Sequence, residues 1–207
     1  MCANKMVKNI IFDLGGVLID FDPHTTFRKV FCEEDAVQVE KVLFGGELWK
    51  SLDAGKRTFS ELALDVCALL PERFHKPLTE LLLGWWDHMP PFPFMEPLVR
   101  QLRENGYGVY LCSNTPADIY RHTDNIPALR LMDGILTSCD YGVVKPDRRI
   151  FEALYDKFSL DPAECFFIDD MPQNIEGAAK TGMRGFCFAE KDVEKLKAAL
   201  RENGVHI

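Results

Sequence analysis

Four apolar runs in this chain stop at polar side chains that can do chemistry. NIIF is followed by Asp13, VYLC by Ser113 and Asn114, and CFFI by Asp169 and Asp170, while Lys145 follows the loop after ILTS. Together they offer three carboxylates, a hydroxyl, an amide and an ammonium. Carboxylates gathered at one place repel one another unless a cation sits between them. Mg²⁺ suits such a place, because it takes one or two carboxylates together with phosphate and water. Lys145 stands before Pro146 with a helix predicted to follow, and SNTP precedes a turn or helix start at Pro116. Helix N-termini add positive potential for an anion. The chemistry these residues describe is metal-assisted handling of a phosphate.

That chemistry requires the four runs to be neighbouring strands of one sheet, since ligands of open α/β sheets bind beyond the carboxyl ends of the strands. The C-terminal half has the necessary alternation. MEPLVRQLRENG spaces Leu98 and Leu102 on one helical face and stops at Gly106. YGVYLCSN and GILTSCD, the latter residues 134–140, read as strands, and DRRIFEALYDKFSL reads as a helix. CFFIDD is a strand, PQNIEGAAKTG a helix closed by Gly182, MRGFCFA a strand and EKDVEKLKAALRENG a last amphipathic helix. This pattern predicts an α/β fold, a Rossmann-like, mostly parallel sheet with helices on both faces. Residues 21–94 differ. DAVQVEKVLFGG and SELALDVCALL have helical spacing with no clear strand between them, and MPPFPF is a stiff connector. The expected organisation is therefore a core of residues 1–20 and 95–207 with a helical cap, 21–94, inserted after the first strand.

With 207 residues, 24 Lys and Arg against 32 Asp and Glu, and a formal charge of −8, the chain is not built to bind nucleic acid or an anionic membrane. Its apolar runs fall short of a bilayer's thickness, and its opening residues lack the apolar core of a leader, so the expected location is cytoplasmic. The seven cysteines show no CxxC spacing and read as reduced packing thiols, Cys112, Cys165 and Cys187 among them. Trp49, Trp85 and Trp86 read as core, with a sugar-binding wall as the alternative. Asp53, Lys56 and Arg57 read as either substrate contacts or solvated side chains.

The stretches IIFDLGGV, LCSN, VVKPD and FFIDD, in this order, resemble the four motifs of the haloacid dehalogenase-like hydrolases, and the resemblance covers nearly the whole chain. DLGGV and IDDMPQNIEGA particularly resemble a sugar-phosphatase branch that includes bacterial glucose-1-phosphatases. The resemblance implies a Mg²⁺-dependent phosphatase for a small phosphorylated metabolite, such as a sugar 1-phosphate. Asp13 would be the nucleophile that forms an aspartyl-phosphate, and Lys145 would neutralise charge beside it. Ser113 and the Asn114 backbone would hold phosphoryl oxygens, with Lys145 also contacting the phosphate. The metal would be held by Asp13, the Gly15 carbonyl and Asp170, with Asp169 acting through water. Asn174 falls where many relatives place a further acid, and is equally a helix cap. Family phosphatases usually carry an acid at the position of Gly15 to protonate the leaving oxygen. Its absence implies either an easily expelled leaving group or a proton from elsewhere, for which Asp20, Asp22 and His24 are the nearest candidates. Two alternatives stand beside this reading: a metal-independent 2-haloacid dehalogenase, and a non-catalytic binding or regulatory protein.

Overall fold

The computed structural model describes residues 5–207; the first four residues, including Cys2, lie outside the described part. Strands β1 (Asn9–Phe12), β2 (Gly108–Ser113), β3 (Gly134–Thr137), β4 (Cys165–Asp169) and β5 (Arg184–Cys187) form a parallel sheet in the order β3-β2-β1-β4-β5. Parallel strands buried on both faces carry continuous apolar runs, and successive side chains point to opposite faces. Ile10, Phe12, Val109, Leu111, Phe166 and Ile168 pack on one face with Leu98, Val99 and Leu102 of α6 (Met95–Glu104) and Leu196 and Leu200 of α10 (Val193–Glu202). Ile11, Cys112, Cys165 and Phe167 pack on the other with Ile150, Phe151 and Leu154 of α8 (Arg148–Phe158) and Ala178 of α9 (Pro172–Ala179). Cys112 and Cys165 are thus fully buried strand residues, whereas Cys187 is only partly covered.

Between β1 and α6 the chain is helical: α1 (Pro23–Arg28), α2 (Glu33–Phe44), α3 (Leu48–Asp53), α4 (Phe59–Ala68) and α5 (His75–Leu83), with a 3-10 turn over Trp85–His88. Thr58 and Glu61 form a reciprocal capping box at the start of α4. The two chain passages joining this segment to the sheet lie side by side. Asp20 N–H donates to the Pro90 carbonyl (2.8 Å) and Phe92 N–H to the Leu18 carbonyl (3.0 Å). One continuous apolar cluster runs from the sheet through Leu18, Ile19 and Phe27 to Leu62, Leu78 and Trp85.

The sequence reading of 134–140 as one strand needs correction. β3 ends at Thr137, and Ser138–Tyr141 turn into a short helix, α7, closed by Gly142 in the left-handed region at φ +65°. Gly takes that conformation without a Cβ penalty. No helix among the described residues is long and apolar enough to cross a membrane.

Candidate active site

The parallel register pairs Phe12 with both Leu111 and Ile168. The residues one step further, Asp13, Cys112 and Asp169, therefore reach the carboxyl edge of the sheet at one level. Asp13 N–H donates to the Ile168 carbonyl at 2.9 Å, which carries the ladder one residue past β1 and fixes the Asp13 backbone.

Lys145 Nζ lies 2.8 Å from Asp13 Oδ1 and 2.6 Å from Asp169 Oδ2, and its side chain is fully buried. Asn114 holds the lysine backbone from both sides: Lys145 N–H donates to Asn114 Oδ1 (2.7 Å), and Asn114 Nδ2 donates to the Lys145 carbonyl (3.1 Å). The sequence assigned Asn114 a backbone role toward phosphate; its side chain has this second task. Asp13 Oδ1 also accepts the Leu14 N–H at 2.7 Å. Asp169, the buried end of β4, accepts from Met171 N–H (2.9 Å) and from Asn174 Nδ2 at both oxygens (2.9 and 3.1 Å). Asn174 is therefore part of the constellation, as the carboxamide that saturates Asp169.

One carboxylate oxygen each from Asp13, Asp169 and Asp170 lies within 4.8 Å of the others. These are hard oxygen donors, the set that Mg²⁺ prefers. Gly16, at φ +70°, makes room for Asp170: a Cβ there would stand 2.3 Å from Asp170 Oδ2. Burial pushes the Asp13 carboxyl up to about 7, with Asp169 and Asp170 adding to the shift against the opposing pull of Lys145. Burial and the charge of Asp169 push Asp170 up to about 6. Burial alone would lower the Lys145 pKa, but Asp13 and Asp169 outweigh it and hold the lysine charged. The site thus crowds more negative charge than one lysine balances, as a cation site does.

Asp13, Asn114, Lys145, Asp170 and Asn174 form the floor of a cavity of about 190 Å³ that also includes Gly15 and Ser113, while Asp169 is fully buried and does not line it. Its walls come from the helical segment: Phe21, Trp49, Phe59, Trp85, Trp86 and Met89. The tryptophans expected in the core serve both purposes. Trp49 and Trp85 pack at centroid distances of 4.9–6.2 Å among Phe21, Phe27, Phe44 and Phe59, and the same rings face the cavity. Trp86 stacks on His122, and its Nε1 is buried without a hydrogen-bond partner.

Asp53 lines the cavity as well, whereas Lys56 is exposed and Arg57 pairs with Asp65. The proton donors that looked nearest in the sequence are elsewhere. Asp20 pairs with Lys191 at 2.7 Å, Asp22 caps α1 through Thr25 N–H, and His24 lies 3.0 Å from Glu40. None of the three lines the cavity.

Comparison with known proteins gives a match to the haloacid dehalogenase-like hydrolase family over residues 7–182. A sesquiterpene phosphatase of Aspergillus oryzae is 27% identical over 190 residues, covering 89% of this chain and 90% of its own. A D-ribitol-5-phosphate phosphatase of Bacteroides thetaiotaomicron is 26% identical over 194 residues, covering 87% and 91%. The magnesium complex of a HAD family enzyme from Bacteroides thetaiotaomicron superimposes with a TM-score of 0.67 at 25% identity, covering 88% of this chain and 93% of that one.

Proposed function

The chain belongs to the haloacid dehalogenase-like hydrolases, enzymes here of phosphoric monoesters with Mg²⁺ as cofactor, and we propose that it turns over a small phosphorylated metabolite through an aspartyl-phosphate on Asp13. The observation that carries this reading is Lys145 Nζ, held between Asp13 and Asp169 at 2.8 and 2.6 Å beside the third carboxylate of Asp170.

In this reading residues 1–20 and 95–207 are the core and 21–94 the cap. Asp13, Asp170 and the Gly15 carbonyl would hold Mg²⁺, while Asp169, whose oxygens already accept from Lys145, Met171 N–H and Asn174, would add negative charge beside it. The ion supplies charge neutralisation for the phosphoryl group. The two hydrogen bonds to Asp13 Oδ1 orient the carboxylate for attack on phosphorus. Lys145 offsets the negative charge that gathers there and contacts the phosphate. Ser113, buried at the end of β2, and the Asn114 backbone N–H would take phosphoryl oxygens. Water then cleaves the aspartyl-phosphate, and the aromatic walls exclude bulk solvent while it does so.

The finer reading is a sugar phosphate, such as a sugar 1-phosphate. Aromatic faces suit the C–H surfaces of a sugar ring, and an anomeric oxygen leaves without much help from an acid. The test is phosphate release from a panel of sugar, polyol and aliphatic alcohol phosphates, with and without Mg²⁺, beside Asp13→Asn. Metal-dependent release that vanishes in the variant is the expected result. Halide release from 2-haloacids without metal identifies a dehalogenase instead, and ligand binding without any turnover identifies a non-catalytic protein.

A further inference from the structure

A side chain at position 15 would be crowded by Phe21. A Cβ on Gly15 would stand 3.3 Å from Phe21 Cβ and 3.4 Å from Cγ. Beyond the carboxylates of the sheet edge, the cavity contains one more acid, Asp53, the last residue of α3. Its carboxyl forms no hydrogen bond and no ion pair among the described residues. The residue is half-buried and lines the cavity, so a bound ligand is the partner left open to it.

The backbone of Asp53 is fixed against the sheet edge. Ser138 Oγ, at the start of α7, donates to the Asp53 carbonyl (2.5 Å) and accepts from Thr115 N–H (3.0 Å). Gly55, just beyond α3, lies so close to α7 that a Cβ would stand 2.6 Å from the Cys139 carbonyl oxygen. Asp53 is thereby tied to the loop after β2, where the phosphoryl group would sit, although it belongs to the helical segment. Burial raises its pKa well above the ordinary carboxylate value. The facing charges are Asp13, which raises it further, and Lys145, which lowers it.

We propose that Asp53 is the catalytic acid and base of this site, protonating the leaving oxygen in the first half-reaction and deprotonating water in the second. The inference rests on the phosphatase reading above. As Asp13 bonds to phosphorus, the bond from phosphorus to the leaving oxygen breaks. Its electron pair stays on that oxygen, which takes the Asp53 proton and departs as an alcohol. In the second half, ionised Asp53 takes a proton from water as the water oxygen bonds to phosphorus. The bond from phosphorus to Asp13 breaks, inorganic phosphate leaves, and Asp53 is again protonated. With this acid in place, the substrates need not have an activated leaving group.

The test uses Asp53→Asn, which keeps the shape and removes the proton. The rate of the first turnover, measured by rapid quench with Mg²⁺, is compared for ribitol 5-phosphate and p-nitrophenyl phosphate. For the alkyl ester it falls by about 10²–10⁴-fold, the usual worth of general acid catalysis. For the nitrophenyl ester, whose phenolate leaves unprotonated, it falls by less than about threefold, while phosphorylated Asp13 accumulates because water is no longer activated. Asp53→Glu, which restores a proton, recovers part of the alkyl-ester rate. Equal losses on both esters, no loss on either, or a Glu variant no better than Asn overturns the inference and leaves the phosphatase reading intact. If the unaltered protein phosphorylates Asp13 with neither ester and with no member of the panel above, the phosphatase reading fails and this inference with it.

Discussion

Replacing Gly16 by Ala tests the metal site without touching a carboxylate. The new Cβ would stand 2.3 Å from Asp170 Oδ2, 2.6 Å from Cγ and 3.0 Å from Cβ. Ordinary contact begins near 3.4 Å, so the Asp170 oxygen must retreat by about 1 Å. Mg²⁺ accepts oxygen ligands only near about 2.0–2.1 Å and in near-octahedral geometry, so a shift of that size removes the ligand. Disturbing merely an outer partner costs about 10–100-fold in metal affinity, so the loss here is about 100-fold or more. Forcing Ala to φ +70° adds strain of about 1–2 kcal/mol, which lowers the melting temperature of a chain this size by about 2–8 °C. Gly106→Ala separates the two effects, since Gly106 also has positive φ (+87°) but nothing within 4 Å of its Cβ position. Titration calorimetry with Mg²⁺ and thermal melting, run on both variants, provide the assay. Both variants lose stability, and only Gly16→Ala loses the metal. Undiminished Mg²⁺ affinity in Gly16→Ala refutes the assignment of Asp170 as a ligand.

Two further outcomes follow from the charge balance. Asp13 and Asp170 have pKa values raised to about 7 and about 6, so their contribution to the stability of the metal-free protein is complete below the unfolded value near 3.8 and is lost as pH rises through 6 and 7. Melting curves in chelator should fall across that window, and the stabilisation by Mg²⁺ should grow with pH; a pH-independent Mg²⁺ effect contradicts the raised values. Lys145→Met leaves two enclosed carboxylates without their cation. By denaturant unfolding the metal-free variant should lose about 3–5 kcal/mol at pH 8 and less at pH 5, where Asp13 is protonated; equal losses at both pH values refute the pairing.

Much of the site was legible because most of its parts close an apolar run. Asp13, Ser113 and Asp169 could be read directly as the places where buried strands stop, and period and length were enough to identify the strands. Asn174 stayed ambiguous, because a carboxamide early in a helix serves equally as a cap, and only its two bonds to Asp169 decide the matter. Asp53 could be named but not ranked above Lys56 and Arg57. Its position depends on Ser138, 85 residues away, and no local pattern encodes that contact. The helical turn at Ser138–Tyr141 was hidden for a related reason. ILTSCD continues a β-like pattern, and Gly142 marks the turn only once the chain is known to bend there. Phe21 falls at the start of the cap in the sequence; that it crowds the space beside Gly15 is a tertiary fact.

The hydroxyl of Ser138 joins the loop after β2 to the end of α3 through two hydrogen bonds. A swing of the helical layer that draws α3 away from α7 would break the second of them and carry the Asp53 carboxyl away. If Asp53 is the acid proposed above, admission of a substrate and delivery of its proton then belong to different positions of the helical layer, and cleavage is confined to the closed one.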